Sequence, residues 1–407
     1  MRAHLWQSAA NYISQFVGLA MSLALARLLA PEDFGQFAFV TAVYSILLVL
    51  IPGATGMGQI LISDGGRDDT LFYKIRYLIY RFLILESAAG VLLALYFFSF
   101  GRYVEGWLSV GLVTAHLVNR PASVYRCDLE AKGEFKPIFT FTFWSVLASG
   151  VVSIVLAAAG AGVYSLLAGV LIGAILSHGV FMRGDPRRAI SYPLSGREAL
   201  IFFKTSIWTW LVGFASTLQS RADRVVVGGA LSERDLGYYS RGINFSPLSY
   251  LLLQSFMGNA ATSSYARATD DAHRLRILAK TCALVFTGAV LNFALWFYFS
   301  DPLVPLLFGP QWTGAIPIFT ALAGLAFCFA LRDIPTTFLL GQKKFRLMAG
   351  LNLVSTGLFL AGILFYRDGL TIVSTAYILQ ASMAVPGVIA LVAIAVHFGF
   401  QTLRRGT

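Results

Sequence analysis

Long apolar runs are the feature that most limits what this chain can fold into. Many are about 20 residues long and carry few charges, and a helix of that length crosses the hydrocarbon core of a bilayer. Barrel strands are about half as long and alternate in polarity, so these runs predict helices. Charged residues make up only 13% of the 407 residues, against about a quarter in soluble domains. The sequence therefore predicts an all-α, polytopic membrane protein.

The runs predict about twelve transmembrane helices. "IPGATGMG" (Ile51–Gly58) predicts a kink in the second span, and "DPLVPLLFGP" (Asp301–Pro310) predicts a break between the ninth and tenth. The expected bounds are 4–29, 34–62, 77–100, 106–126, 137–158, 161–182, 203–231, 236–263, 279–300, 313–332, 346–366 and 370–398.

The distribution of Lys and Arg predicts the orientation in the membrane. With the N-terminus inside, 24 of the 31 basic residues fall in inner regions. Inner loops carry an excess of Lys and Arg, so both termini are expected in the cytoplasm. The net charge of +11 then reflects inner loops, and nucleic acid is not an expected partner.

Two motifs recur in the second half of the chain. "LLAPEDFGQF" (Leu28–Phe37) matches "ALSERDLGYY" (Ala230–Tyr239) at an offset of 202, and "LEAKGEFK" (Leu129–Lys136) loosely matches "LLGQKKFR" (Leu339–Arg346). Six predicted spans on each side indicate two pseudo-symmetric six-helix bundles. We expect an N-terminal bundle at 1–182, a cytoplasmic linker at 183–198 and a C-terminal bundle at 199–407.

The first and seventh spans carry matching polar stripes. One helical face of the first span holds Asn11, Gln15, Gly18 and Ser22. The equivalent face of the seventh holds Gly213, Thr217, Ser220 and Arg224, again at an offset of 202. Small residues at such spacing also serve close helix packing, which is the simpler explanation for them.

Three charges in the seventh span, Arg221, Asp223 and Arg224, are harder to explain by packing. An Arg or Asp at a helix centre costs roughly 2.5–3.5 kcal/mol, so all three would cost about 8–10 kcal/mol toward lipid. Asp223 neutralises one arginine, which leaves a positive charge. The span therefore predicts a polar cavity with a cationic wall that binds an anion, with Arg27 and Arg120 as further arginines near it.

Few other polar residues are expected at membrane depth. Glu86 in the third span is the other buried acid beside Asp223, with Arg81 as its suggested partner, while His116 and His178 are more simply explained as packing residues. Both acids are candidates for coupling to H⁺ or Na⁺. Cys127, Cys282 and Cys328 are too scattered for a metal site or disulfide framework, so no cofactor is expected.

Three segments together resemble a known family: "LARLLAPEDFGQFAF", "RADRVVVGGALSERDLGYYSRG" and "LFGPQWTGAIPIF". They are similar to Wzx-type polysaccharide and O-antigen flippases of the multidrug/oligosaccharidyl-lipid/polysaccharide (MOP) exporter superfamily. The resemblance covers essentially the whole chain, but its motifs are soft patterns. Only Asp223–Arg224 carries over, at the family's "aDr" pattern.

The resemblance implies a V-shaped pair of six-helix bundles in the bacterial cytoplasmic (inner) membrane. It also implies a function, the movement of undecaprenyl-diphosphate-linked oligosaccharide from the cytoplasmic to the outer leaflet, driven by an ion gradient. Lipid-linked oligosaccharide, membrane lipid and other polysaccharide assembly proteins are the partners it implies. The substrate-binding candidates are Arg221, Arg224, Gln15, Asn11, Arg27 and Arg120.

Two other functions stay open at this point. A MATE-like, cation-coupled drug exporter shares the superfamily, but such exporters favour acidic cavities. A membrane glycosyltransferase or polysaccharide polymerase would need an acidic metal site or a large outer loop, and "RDDT" (Arg67–Thr70) lies in a short inner loop. The chain is therefore predicted to be a transporter and not an enzyme.

Overall fold

A computed structural model describes residues 2–51, 69–183, 192–193, 195–248, 250, 271–342 and 344–405. Every regular element within those residues is helical, which confirms the predicted all-α class. The principal helices are α1 (Arg2–Leu28), α2 (Pro31–Leu50), α3 (Asp69–Ser99), α4 (Tyr103–Lys132), α5 (Phe135–Ala158), α6 (Val163–Arg183), α7 (Gly196–Ala230), α8 (Glu233–Phe245), α9 (Asp271–Phe308), α10 (Ile316–Ala321), α11 (Leu325–Gly341), α12 (Phe345–Phe365) and α13 (Ile372–Arg405).

Seven helices in the described part of the chain are long and apolar enough to cross a membrane. An eighth crossing results if α7, which bends by 54° between Lys204 and Ser206, is counted as one span. Helices occupy each of the twelve predicted intervals as far as the structure describes them. The chain is thus a multi-pass membrane protein, and the count of twelve spans stays a prediction.

The region between the ninth and tenth spans differs from its predicted form. α9 continues through Pro302 and Pro305 and ends at Phe308. Gly309 ends it by adopting a φ of 103°, which only glycine takes without strain, and a 3₁₀ turn at Pro310–Ala315 follows. The helix therefore ends about two turns later than the predicted end of the ninth span at residue 300. The other predicted kink, at Ile51–Gly58, lies outside the described residues from residue 52 onward.

The end of the tenth span also needs correction. It was predicted at residue 332, with Arg332 in an inner loop, but α11 continues to Gly341. Arg332 lies inside the helix because the neighbouring Asp333 pairs with it, with 2.5 Å between Arg332 Nε and Asp333 Oδ1. An apolar-run criterion stops at such a pair, while the helix does not.

The recurring motifs start helices of similar construction. Asp33 is the third residue of α2, and its Oδ2 accepts a hydrogen bond from the backbone N–H of Ala30, just before the helix, over 3.0 Å. Asp235 is the third residue of α8, and its backbone N–H donates to the N-cap Ser232 over 3.1 Å. Both acids also lie at the positive end of a helix dipole. The repeat is therefore visible in local structure as well as in sequence.

The chain divides into two compact units, Met1–Thr217 and Leu218–Thr407. This boundary lies inside α7, beyond the 183–198 segment, of which 184–191 and 194 lie outside the described residues. Contacts explain the difference. Lys74 Nζ lies 2.7 Å from Glu198 Oε1, and Trp210 Nε1 donates to the carbonyl oxygen of Val49 over 2.9 Å. The first part of α7 thus packs with α2 and α3, while the bundles at 1–182 and 199–407 stay predictions.

Small residues bring helices of the first unit into close contact. Ser149 and Ser145 on α5 donate hydrogen bonds to the carbonyl oxygens of Gly169 and Gly173 on α6, over 2.8 and 3.0 Å. A methyl group on Gly169 would lie 2.0 Å from the Ser153 hydroxyl. In a bilayer, close packing and hydrogen bonds of this kind hold helices together.

Aromatic side chains mark one membrane boundary of the first unit. Tyr96, Phe100, Tyr103 and Trp107 are exposed around the turn between α3 and α4. Tyr and Trp concentrate at membrane–water interfaces because their rings are apolar and their edges are polar. This turn therefore gives a reference level from which the depth of charged residues on α3 and α4 can be measured.

Candidate functional site

Asp223 lies at the contact between α7 and α8 in the second unit. Its side chain is buried, with the residue 2% exposed. Oδ1 accepts a hydrogen bond from the backbone N–H of Arg224 over 2.8 Å, and Oδ2 accepts one from the Tyr239 hydroxyl over 3.3 Å. The guanidinium of Arg224 lies 3.7 Å from Oδ1. The Asp223 carboxylate therefore lies among hydrogen-bond donors and close to one guanidinium group.

Arg224 makes its contacts within the same unit. The residue is 7% exposed, and its NH2 donates to Asn244 Oδ1 on α8 over 3.2 Å, while NH1 donates to the carbonyl oxygen of Ser220. The polar stripe predicted on α7 is thus not uniformly accessible, because Ser220 is exposed and Arg224 is buried. The apolar part of Arg224 packs while its head reaches polar partners, as long basic side chains commonly do.

Two further arginines surround this pair. Arg221 on α7 and Arg241 on α8 both lie within electrostatic range of Arg224. Among the residues that the structure describes, three guanidinium groups thus lie close to the one carboxylate of Asp223. We call Arg221, Asp223, Arg224 and Arg241 the arginine cluster. The sequence analysis did not single out Arg241, which falls within the predicted eighth span at 236–263 and lies on the same helix as Tyr239.

Arg221, Asp223 and Arg224 lie near the C-terminal end of α7, which the predicted span of 203–231 had located to within one residue. Asp223 and Arg224 are within about 10 Å of the end of α7 at Ala230, at a rise of 1.5 Å per residue. The cost of a charge falls toward the membrane interface, so the estimate of about 8–10 kcal/mol for three mid-span charges is too high. Protein partners and shallow depth both make the cluster tolerable.

A second charged cluster joins α3 and α4 in the first unit. Glu86 is 1% exposed, and its Oε1 accepts a hydrogen bond from Arg120 NH2 over 2.5 Å. Its Oε2 lies 2.8 Å from His116 Nε2. Tyr44 of α2 packs edge-on against His116, with ring centroids 6.2 Å apart. We call Glu86, His116 and Arg120 the acid–histidine–arginine cluster.

This cluster lies at the depth of the bilayer centre. At 1.5 Å per residue, about 15 Å separate Glu86 from the interfacial Tyr96 along α3, and about 15 Å separate it from Arg76 in the other direction. Half of a hydrocarbon core of about 30 Å is the same distance. Three ionisable side chains at this depth mark a functional site by default.

The contacts of Glu86 correct two expectations from the sequence. Its suggested partner Arg81 is exposed. Arg81 NH2 instead donates a hydrogen bond to the Tyr77 hydroxyl oxygen over 2.9 Å. Five residues on one helix place Arg81 and Glu86 on different faces, whereas His116 and Arg120 are one turn apart on the neighbouring helix. His116, expected to be a packing residue, is part of the cluster. His178 does pack, with Nδ1 donating to the Val118 carbonyl over 2.8 Å.

The remaining candidates from the sequence are either exposed or outside the description. Gln15 and Arg27 on α1 are exposed, and a methyl group on Gly18 would meet nothing within 4 Å. Gly18 is therefore not at a close helix contact, unlike Gly169. The side chain of Asn11 lies outside the described residues. Within the part of the chain that the structure describes, no group of three or more His, Cys, Asp or Glu side chains could hold a metal ion.

A partly buried ion pair in the second unit was absent from the sequence interpretation. Asp333 of α11 accepts a hydrogen bond from the Tyr250 hydroxyl over 2.7 Å and pairs with Arg332. The guanidinium of Arg332 also lies 4.7 Å from the centre of the Phe329 ring. The signal in the sequence was the adjacent "RD" within an apolar run. Because the predicted span ended at residue 332, this pair was assigned to a loop.

Comparison with known proteins agrees with this architecture. Residues 24–317 match the family described as "Polysaccharide biosynthesis protein". The succinoglycan biosynthesis transport protein ExoT of Rhizobium meliloti is 23% identical over 313 residues. That match covers 74% of this chain but only 60% of the length of ExoT.

Two solved structures have a similar fold over almost the whole chain. The lipid II flippase MurJ, in an inward closed conformation, has a TM-score of 0.77 at 14% identity and covers 96% of this chain and 87% of its own. A multidrug resistance MATE family transporter of the MOP superfamily, in its inward-facing conformation, has a TM-score of 0.69 at 13% identity, covering 95% and 94%. The chain therefore belongs to the polysaccharide biosynthesis protein family and is a multi-pass membrane protein with the MOP superfamily fold, as the sequence resemblance predicted.

Proposed function

We propose that this protein is a flippase that moves undecaprenyl-diphosphate-linked oligosaccharide from the cytoplasmic to the outer leaflet for surface polysaccharide biosynthesis. The observation that carries the proposal is the arginine cluster itself, in which three guanidinium groups lie close to one carboxylate. A diphosphate is anionic, and the planar fork of arginine can bind its oxygens in pairs. The protein would act in the bacterial cytoplasmic membrane with both termini in the cytoplasm.

The arginines of the two clusters differ in how well they suit an anionic headgroup. Arg120 is neutralised by Glu86 at 2.5 Å. Arg221 and Arg241 belong to a cluster in which cations outnumber acids, and Arg221 is partly exposed. We therefore place the diphosphate at Arg221, with Arg241 beside it and Arg224 as a buried support. Gln15, Asn11 and Arg27 are retained as candidates for contacts to the sugar or the phosphate.

An ion gradient would drive the cycle, with H⁺ or Na⁺ as the coupling ion and Glu86 and Asp223 as the acids. Both are buried carboxylates with a guanidinium nearby, an arrangement whose charge balance changes when an ion binds. A drug exporter with the same fold is the competing function. Such a transporter for cationic drugs would want acids in excess at its site, the opposite of the arginine cluster.

The test is complementation of a flippase-deficient strain, with lipid-linked oligosaccharide binding measured in parallel. Arg221→Ala and Arg241→Ala should each lower binding and surface polysaccharide about tenfold or more, at equal protein level in the membrane. Arg221→Lys should be intermediate, because it keeps the charge but loses the fork. Arg367→Ala is the matched control, since Arg367 is exposed in the turn before α13.

Unchanged binding in the Arg221→Ala/Arg241→Ala double variant would remove the headgroup from this cluster. Two results together would instead identify a drug exporter: the protein exports a cationic dye, and a strain that lacks its gene makes normal surface polysaccharide.

A further inference from the structure

His116 has the surroundings of a group that gains and loses a proton. Its Nε2 lies 2.8 Å from Glu86 Oε2, and an ionised carboxylate can only accept a hydrogen bond. Nε2 therefore carries hydrogen whether the ring is neutral or charged. The second ring nitrogen, Nδ1, is then the atom at which a proton is added.

We propose that His116 is a proton-binding site of the first unit, in which Nδ1 takes up one proton while Glu86 holds Nε2 and supplies the negative charge. In the neutral state Glu86 and Arg120 cancel and the cluster carries no net charge. Addition of one proton makes an imidazolium and raises the net charge to +1. The proton comes from water and returns to water, and no bond other than N–H forms or breaks.

The neighbouring residues leave room for such a change. The titratable groups that the packed helices contribute are Tyr44 from α2 and His178 from α6, with Cys127 further along α4. The Tyr44 hydroxyl and Arg120 Nε are buried and make no hydrogen bond to any residue that the structure describes. A charged ring could use the Tyr44 hydroxyl oxygen, and Arg120 could turn both of its nitrogens to Glu86.

Protons also need a route to the ring. The His116 and Arg120 side chains are 16% and 15% exposed, and Asn119, one turn from His116, is exposed. Such groups at the bilayer centre must meet water or polar protein, because contact with lipid is too costly. Histidine is the side chain whose charge changes most readily near neutral pH. Glu86, proposed above as a coupling acid, thereby becomes the partner that makes protonation of the ring favourable.

Use of this proton in transport rests on the proposed function, whereas the proton site itself does not. The test is therefore a titration that needs no substrate. Full-length protein with ¹⁵N-labelled histidine in lipid nanodiscs gives signals from five histidines, and His116→Asn assigns one of them. If that variant fails to fold, replacing the other four in turn assigns His116 by elimination.

We expect the His116 ring to take up a proton as the pH falls, with the larger ¹⁵N chemical-shift change at Nδ1. Glu86→Gln should displace this change downward by at least one pH unit, a tenfold loss of proton affinity, and Arg120→Gln should displace it upward. His178→Asn, the matched control, should leave it unchanged. A ring that stays neutral throughout, or one that Glu86→Gln does not affect, would overturn the proton site.

Transport then separates the two proposals. His116→Asn should make surface polysaccharide production in a complemented strain insensitive to external pH between 6 and 8, at a several-fold lower level. Full pH-sensitive production in His116→Asn would overturn the use of this proton and leave the flippase proposal standing. A wild-type protein that does not bind the headgroup, but whose His116 takes up a proton as described, would overturn the flippase proposal and leave the proton site standing.

Discussion

Tyr250 and Asp333 are joined by a 2.7 Å hydrogen bond from the tyrosine hydroxyl to Oδ2, in the middle of the second unit's apolar core. Arg332 Nε lies 2.5 Å from the other carboxylate oxygen. The first unit has a comparable grouping, in which Tyr44 lies beside the Glu86–Arg120 pair. Each unit therefore surrounds a buried acid–arginine pair with a tyrosine from or just after its second helix.

Removing members of the Tyr250–Asp333–Arg332 network should destabilise the protein by different amounts. Tyr250→Phe removes one hydrogen bond and should lower the free energy of unfolding by about 1–2 kcal/mol. Asp333→Ala leaves the Arg332 charge uncompensated and should cost about 3 kcal/mol. Unfolding in mixed micelles measures both, with the exposed Tyr377→Phe as control. Equal effects of Tyr250→Phe and Tyr377→Phe would contradict the network.

A glycine on α13 should be intolerant of any side chain. A methyl group on Gly387 would lie 2.5 Å from the carbonyl oxygen of Leu331, a backbone atom that cannot rotate away. Gly387→Ala should therefore destabilise the α11–α13 contact by about 2 kcal/mol. Gly357→Ala on α12 meets nothing within 4 Å and should stabilise by about 0.5 kcal/mol through helix propensity. The same unfolding assay should rank the two variants in opposite directions from wild type.

The arginines near Glu86 should differ sharply in their effect on stability. Arg120→Ala leaves Glu86 with His116 alone and should cost about 3 kcal/mol, because a buried charge loses its counter-ion. Arg81→Ala should change stability by less than about 0.5 kcal/mol, since Arg81 is exposed and contacts Tyr77. A larger loss for Arg81→Ala would reverse the assignment of the ion pair.

Asp223→Asn should test the coupling role of the second acid. Asparagine Oδ1 can still accept from the Arg224 backbone N–H, so the local fold should survive while the negative charge is lost. If Asp223 binds the coupling ion, polysaccharide export should lose its dependence on the imposed gradient. Normal gradient dependence at normal protein level would make Asp223 a static partner of Arg224.

Reporter fusions should establish the orientation. Cytoplasmic reporters fused after residues 190 and 400 should be active, because basic residues concentrate there. A fusion after Gly101, in the aromatic turn between α3 and α4, should be active only with a periplasmic reporter. Opposite activity at residue 190 or 400 would place the termini outside.

The class of structure and most helix positions follow from the sequence alone. Apolar runs of bilayer length have one solution in lipid, because a helix satisfies its own backbone hydrogen bonds. The repeated acids Asp33 and Asp235 likewise act within one turn of chain, so their place at the starts of α2 and α8 followed from local pattern. The same holds for the Asp223–Arg224 pair, whose partners are on the same and the next helix.

Which charged side chains pair with one another depends on the packing of the helices. Glu86 pairs with Arg120 because the α3–α4 contact brings these two residues, 34 positions apart in sequence, within 2.5 Å of each other. Arg81 and Glu86 are five positions apart on one helix, so their side chains lie on different faces of it. A contact between helices likewise brings Arg241 to the arginine cluster, and the Tyr250 hydroxyl meets Asp333 although 83 residues separate them in sequence. Span prediction averages hydropathy along the chain, whereas the energy of a buried charge depends on the one side chain it touches across a helix contact.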